Sequence, residues 1–487
     1  MTSVPEHDVA PDPRRWLALG MISLATLMVV LDASIINIAL PQAQAALGIS
    51  DANRHWAVTG YAATFGGLLL LGGRIADFGG RKRMLLIGLA GFAAASALGG
   101  LAVDEAVLVI ARVLQGAFAA VLAPAALSLI AVTFTENRER ARAFGVFAAV
   151  QGSGGAIGLL AGGLLTEYLD WRWCLLVNLP IAVVAIAGTW LSANESVASG
   201  PRSYDLPGAL LATAGSVGLV LGFTLAAESG GWGSPAAIAA LVTSVLLLAG
   251  FVLWQRRAAA PLLPLRVVLD RVRGGAFLTS TLVGSGMFGM FLFLTYYLQG
   301  DLGFDPLTTG LAFLPFCVGI VLVPLFVAPS LTRFGPRPPM VAGMAIAAAG
   351  MLLLTTLDGS PAQLGGTLVP QLVMGIGLGF VFTPMNSTAL AGVDAADAGV
   401  ASGLVNSTQQ LGGALGVALL NTLYTSTRAD AIKSNPGDVL TANLSGYHLA
   451  FAVSGVLFLL AMLCALLVMK KPRKPAPVAA AAVDATQ

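Results

Sequence analysis

Residues 16–40 read WLALGMISLATLMVVLDASIINIAL, a run of 25 in which the only charge is Asp32. A bilayer's hydrocarbon core is about 30 Å thick and needs about 20 apolar residues in one helix. Backbone groups in lipid must satisfy one another, so a run of this length reads as a membrane-crossing helix. It is too long for a signal-peptide core and reaches Leu40-Pro41 with no small-x-small cleavage pattern, so it reads as a retained span.

Thirteen further windows follow, at 56–73, 84–103, 106–130, 143–165, 173–190, 207–226, 235–254, 275–298, 307–328, 339–357, 367–391, 400–423 and 447–469. Composition agrees: of 487 residues 57% are hydrophobic and 10% charged, against about a quarter charged in a soluble domain. Mean hydropathy is +0.84. The expectation is an all-α integral membrane protein of fourteen transmembrane helices. Cys174, Cys317 and Cys464 fall in or beside apolar spans, where cysteine behaves as a small hydrophobe, and no metal site is indicated.

Lysine and arginine in alternate loops set the orientation. With the N-terminus in the cytoplasm, 21 of the 26 fall on the cytoplasmic side and only Arg54, Arg172, Arg428 and Lys433 outside, with Arg112 in the membrane. A multi-pass protein of the cell membrane with both termini cytoplasmic is expected.

An internal repeat is visible. Phe78-Gly79-Gly80-Arg81 after the second span returns as Phe334-Gly335-Pro336-Arg337 after the tenth. Gly145, Gln151 and Gly154-Gly155-Ala156-Ile157-Gly158 in the fifth return as Gly403, Gln409 and Gly412-Gly413-Ala414-Leu415-Gly416 in the thirteenth. Spans one to six thus correspond to nine to fourteen, with two inserted. Parallel repeats about an axis along the membrane normal, with a substrate site between them, describe a transporter architecture. The expected organisation is an N-terminal tail at 1–15, a six-helix bundle at 16–192, linkers and two inserted helices at 193–273, a second six-helix bundle at 274–469, and a tail at 470–487.

Asp32 and Arg112 are the only acid and the only base deep in these spans. A charge at a helix centre costs about 2.5–3.5 kcal/mol on insertion scales, so each needs a partner or a water-filled cavity. Asp32 reads either as a proton or cation site or as a structural ion pair. Its neighbours at helical spacing, Met28, Val29, Ile35 and Ile36, form an apolar wall that disfavours the ionised form. Ser23, Thr26, Ser34 and Asn37 form a separate polar stripe. Arg112 and Gln115 share a face of the fourth span. Asn37, Gln115, Gln151, Asn406 and Gln409 are candidate cavity residues, and Gly154, Gly158 and Gly162 form a small-residue face for close helix packing.

Three stretches stand out: Leu31-Asp32-Ala33-Ser34-Ile35-Ile36-Asn37-Ile38-Ala39-Leu40-Pro41, Gly73-Arg74-Ile75-Ala76-Asp77-Phe78-Gly79-Gly80-Arg81-Lys82, and Arg112-Val113-Leu114-Gln115-Gly116. Together they resemble the major facilitator superfamily, and within it the fourteen-span drug:proton antiporters of the EmrB/QacA type. The resemblance implies proton coupling at Asp32 assisted by Arg112. It also implies a conformational switch at Gly73, Asp77, Gly80 and Arg81, with Asp77 in an ion-pair network between the two halves. The fifth-span antiporter motif departs from the family, with Leu159 where proline is usual.

The expected function is proton-coupled export of small amphipathic or lipophilic compounds, such as antibiotics. The alternative is a proton-coupled symporter for metabolite uptake. Protons are the coupling ion and no other cofactor is expected. No Gly-Lys dipeptide occurs, so a lysine-bearing phosphate loop is absent. His7, His55 and His448 lie outside the deep spans, which argues against a membrane-embedded enzyme. The expected partners are a small-molecule substrate and the lipid bilayer, with no nucleic acid and a monomer as the working unit.

Overall fold

The computed structural model describes residues 13–51, 53–134, 136–197, 205–228, 232–258, 261–263, 265–360, 364–390 and 398–468, and among them helices and no strand. The long helices of the first part are α1 (Arg15–Leu47), α2 (Trp56–Gly79), α3 (Arg81–Gly100), α4 (Glu105–Thr133), α5 (Asn137–Tyr168) and α6 (Trp173–Ser192). Next come α7 (Leu206–Glu228) and α8 (Pro235–Gln255). The last part holds α9 (Arg271–Tyr296), α10 (Leu314–Phe334), α11 (Arg337–Leu353), α12 (Leu364–Leu390), α13 (Ala398–Ser434) and α14 (Val439–Leu467). Twelve of the described helices are long and apolar enough to cross a membrane. Helices α5 and α13, of 32 and 37 residues, are not among those twelve. The tails and the 391–397 connection lie outside the described residues.

Aspartates start several helices, because a carboxylate satisfies backbone donors that the first turn leaves unpaired. Asp104 accepts from the Val107 amide at α4, Asp270 from Val272 and Arg273 at α9, and Asp438 from Thr441 at α14. Hydropathy marks the apolar middle of a helix and misses polar continuations. Helix α1 runs past Pro41 to Leu47 and stops at Gly48, whose φ of 65° suits glycine. Helix α13 continues well beyond its 400–423 window to Ser434. The 307–328 window is divided into a short helix, Pro306–Ala312, and α10. Helix α9 ends in a π turn, Tyr297–Asp301.

Helix pairing repeats along the chain. In the first six, α1 packs on α5 and α6, α4 on α2 and α3, and α3 on α6. In the last six, α9 packs on α13 and α14, α12 on α10 and α11, and α11 on α14. Helix α7 packs on α8, α2 and α13, while α8 has 17% of its most apolar window buried and so turns most of its surface outward. One core cluster belongs to the first six helices alone, from Ala18 and Leu19 through Phe92, Ala120 and Ala185. A second joins Ile35 to Ala43, Ile49 and Val58 to the last six helices, through Phe293, Tyr297, Phe313 and Tyr447. The two parts therefore close on one another at the end that carries Ile49 to Val58, opposite the Arg81 turn.

Candidate functional site: a caged ion pair

Burying a lone carboxylate is prohibitive unless it is paired and hydrogen-bonded. Asp32, in α1, is fully buried, and four polar side chains from α3, α4 and α6 gather around its carboxylate. Arg112 Nη1 lies 2.5 Å from Asp32 Oδ2. Gln115 Nε2 and Asn178 Nδ2 both donate to Asp32 Oδ1, at 2.9 and 2.7 Å. The same two nitrogens reach Ser96 Oγ at 2.8 and 3.2 Å. Arg112 is further held by Gln115 Oε1 at 2.7 Å and the Ala57 carbonyl at 2.7 Å, and its guanidinium stands 4.6 Å from the centre of the Tyr61 ring. Asn178 Oδ1 is buried without a donor.

The apolar wall expected around Asp32 is therefore corrected. Met28, Val29, Ile35 and Ile36 are buried beside it on α1, but helical spacing within α1 says nothing of what α3, α4 and α6 bring. The signal that could have found Asn178 is its place at the start of an otherwise apolar span. Ser96 gave no signal.

The other candidates lie apart. Asn37 Nδ2 donates to the carbonyls of Ala33 and Ser34 in its own helix, both at 3.2 Å. Asn406 is exposed and Gln409 half-buried on α13. Gln151 lies on α5, and its side chain is outside the described residues. Gly154 faces Leu27 and Val30, Gly158 faces Ser34 and the Leu31 carbonyl, and Gly162 faces Ile35 and Ile38, so all three line the α1–α5 crossing. At Gly158 any Cβ would collide with Ser34 Oγ.

Comparison with known proteins gives this arrangement a family. Residues 22–417 match the model of the Major Facilitator Superfamily. This chain belongs to the major facilitator superfamily. It is 50% identical over 478 residues to a puromycin resistance protein of Streptomyces alboniger, covering 96% of this chain and 95% of that one. It is 41% identical to a cephamycin export protein of Amycolatopsis lactamdurans (90% and 91% covered). A tetracenomycin C resistance and export protein of Streptomyces glaucescens is 33% identical (86% and 77% covered). Among solved structures, a bacterial homologue of the human lysosomal transporter Spinster superposes with a TM-score of 0.67 at 17% identity, covering 95% of this chain and 99% of that one.

Helix α2, the α2–α3 turn and α5 hold the remaining residues of the sequence motifs. Asp77 pairs with Arg81 one helical turn on, Arg81 Nη2 to Asp77 Oδ1 at 2.9 Å, within its own half. Among the described residues, no ion pair joins Asp77 to the other half. Gly80 has φ 97°, a conformation that favours glycine, and its missing side chain leaves room for Glu195. The Glu195 carboxylate accepts from the Lys82 and Arg83 amides at 3.1 and 3.0 Å, so the segment after α6 caps α3. A Cβ added at Gly73 would stand 3.6 Å from the Pro124 side chain of α4, ordinary contact distance. Leu159 is buried, and its carbonyl comes so close to Gly310 that a Cβ there would sit at 2.7 Å.

Proposed function

We propose that this chain is a proton-coupled antiporter that exports small amphipathic compounds, antibiotics among them, through a cell membrane. The transport class and its cargo rest on the three relatives named above, whose names concern resistance or export. The observation that carries the coupling is the Asp32–Arg112 pair, wholly buried in helices the bilayer would surround. Under this reading α5 and α13 cross as well, giving fourteen spans in two six-helix bundles with α7 and α8 between them. Both termini are cytoplasmic, the lysine- and arginine-rich loops lie inside, and the Asp51 end faces outward.

Protonation neutralises Asp32 and takes away the anion that Arg112 faces. A neutral carboxyl donates as well as accepts, and Asn178 Oδ1 is an acceptor with no donor of its own, reached by turning the amide. Arg112 is then free to exchange partners, which biases the two halves between access states. The membrane potential supplies about 2.3 kcal/mol per charge per 100 mV. Asp77 and Arg81, at the α2–α3 turn, bias the same equilibrium from the cytoplasmic end.

The test is a susceptibility and efflux panel in a bacterial host stripped of its own exporters. Expression should lower accumulation of puromycin or a similar compound, and a protonophore should abolish the difference. Accumulation that rises on expression would favour the symporter instead.

A further inference from the structure

The segment between α1 and α2 carries a second buried cation, and no carboxylate cage surrounds this one. Arg54 is 3% exposed. Its guanidinium carbon lies 3.8 Å from the centre of the Tyr296 ring and 4.9 Å from that of Tyr424. The nearest carboxylate, Asp51, is 3.5 Å away and is shared with Arg428 at 3.2 Å and Gln44 at 2.8 Å. Arg54 Nε and Nη2 are buried without an acceptor. A guanidinium with unmade hydrogen bonds and a divided counterion is held chiefly by aromatic faces, whose pull on a cation strengthens when it is desolvated.

Those faces belong to the second half, and one of them, Tyr424, is buttressed by neighbouring rings. Tyr424 packs on Tyr447 at 5.0 Å and on Phe293 at 5.5 Å, and Tyr447 packs on Tyr297 at 5.9 Å. Phe293 and Tyr296 on α9, Tyr424 on α13 and Tyr447 on α14 supply the rings, and the contacts among Phe293, Tyr424 and Tyr447 do not involve Arg54. Arg54 belongs to the first half. It fills the cage only while the Asp51 ends are together, a closure that Asn421 Nδ2 to the Asp51 carbonyl and Gln299 Nε2 to the Ile38 carbonyl also make. Alternating access, on which this inference rests, must part those ends and bare the rings on the outward path.

We propose that Tyr296, Tyr424 and Tyr447 form a cation subsite at the outer end of the second half, which takes the alkylammonium or guanidinium head of a cargo molecule when Arg54 withdraws. Arg54 is the tethered competitor: its return to the cage expels the cargo and closes the outer end. Neutral cargo gains nothing from the subsite.

The probe is benzyltrimethylammonium, with sodium chloride as the ionic-strength control and neopentylbenzene as the neutral isostere. Binding is read by thermal shift of the purified full chain in detergent, where no gradient is needed and failure of the export reading leaves the result interpretable. Arg54→Ala should bind the cation saturably, at least tenfold more tightly than wild type, and should not bind the isostere. Adding Tyr296→Leu and Tyr424→Leu should abolish that binding. Arg54→Gln, which keeps length and polarity, stands in if the alanine variant does not fold. In proteoliposomes, the two tyrosine substitutions in an otherwise wild-type chain should raise the half-saturating benzyltrimethylammonium concentration several-fold and leave that of a neutral cargo unchanged. Cation binding that ignores Arg54 and the rings, or equal effects on benzyltrimethylammonium and neutral cargo, would overturn the proposal.

Discussion

Asp32 and Arg112 are 80 residues apart in the chain and 2.5 Å apart in space, and the energetics of such a pair set what substitution should do. Removing one partner from a buried pair leaves an uncompensated charge and costs about 3–5 kcal/mol, whereas neutralising both at similar volume is often tolerated. Arg112→Gln should therefore lower thermal stability markedly on its own, and Asp32→Asn with Arg112→Gln should recover most of the loss. A double-mutant cycle of melting temperatures in detergent checks this, and purely additive losses would show that the pair is not coupled. At this scale the sequence exposed only the charges. A carboxylate and a guanidinium are conspicuous in apolar runs, but Ser96 and Asn178 are ordinary polar residues, Asn178 146 positions from Asp32, and only tertiary packing brings them in. Arg54 read as a loop cation for the same reason, since its burial comes from rings more than 200 positions away.

Helices were legible in the sequence where their chemistry is apolar and obscure where they leave it. The windows found the long helices but not the continuation of α1 beyond Pro41 or the break before α10, because hydrogen-bonded backbone continues wherever water or protein can meet polar side chains. The glycine face of α5 could be read from spacing, and the structure supplies its partner, α1. Gly158→Leu should force α1 and α5 apart and sharply reduce folded protein, measured as monodisperse yield, while Gly155→Leu, where an added Cβ meets no neighbouring helix within 4 Å among the described residues, should be tolerated.

The α7–α8 pair has its own clamp. Asp205 accepts from Trp254 Nε1 and Gln255 Nε2, both at 2.6 Å, and from the Gly208 amide at 2.9 Å. Burial pushes its carboxyl up, but the hydrogen bonds from Gln255, Trp254, Gly208 and Leu262 outweigh this and hold it below the usual range. Its stabilisation is thus fully present above the unfolded value of about 3.9 and is lost as pH falls through the lowered one. Asp205→Asn should cost about 1–3 kcal/mol at neutral pH. It should also flatten the loss of melting temperature expected of wild type below about pH 4.

At the scale of the whole molecule, the repeat was legible because two glycine-rich signatures recur at nearly constant spacing, and the helix pairings recur in the same order. The contact of the two halves at the Asp51 end was not legible. It is made by Ile49, Arg54, Tyr296 and Tyr447, residues that carry no repeat and whose meeting depends on the access state. If protons drive the exchange between such states, a titratable group must gain and lose a proton within the bundle, and Asp32 is the one acid deep in a span. The direct measurement is efflux from proteoliposomes under an imposed pH gradient, comparing wild type with Asp32→Asn/Arg112→Gln, whose fold the melting cycle verifies. The account predicts that wild type concentrates substrate against its gradient while the double variant at most lets it equilibrate. Concentration by the double variant at the wild-type level would contradict it and leave Asp32 a structural residue.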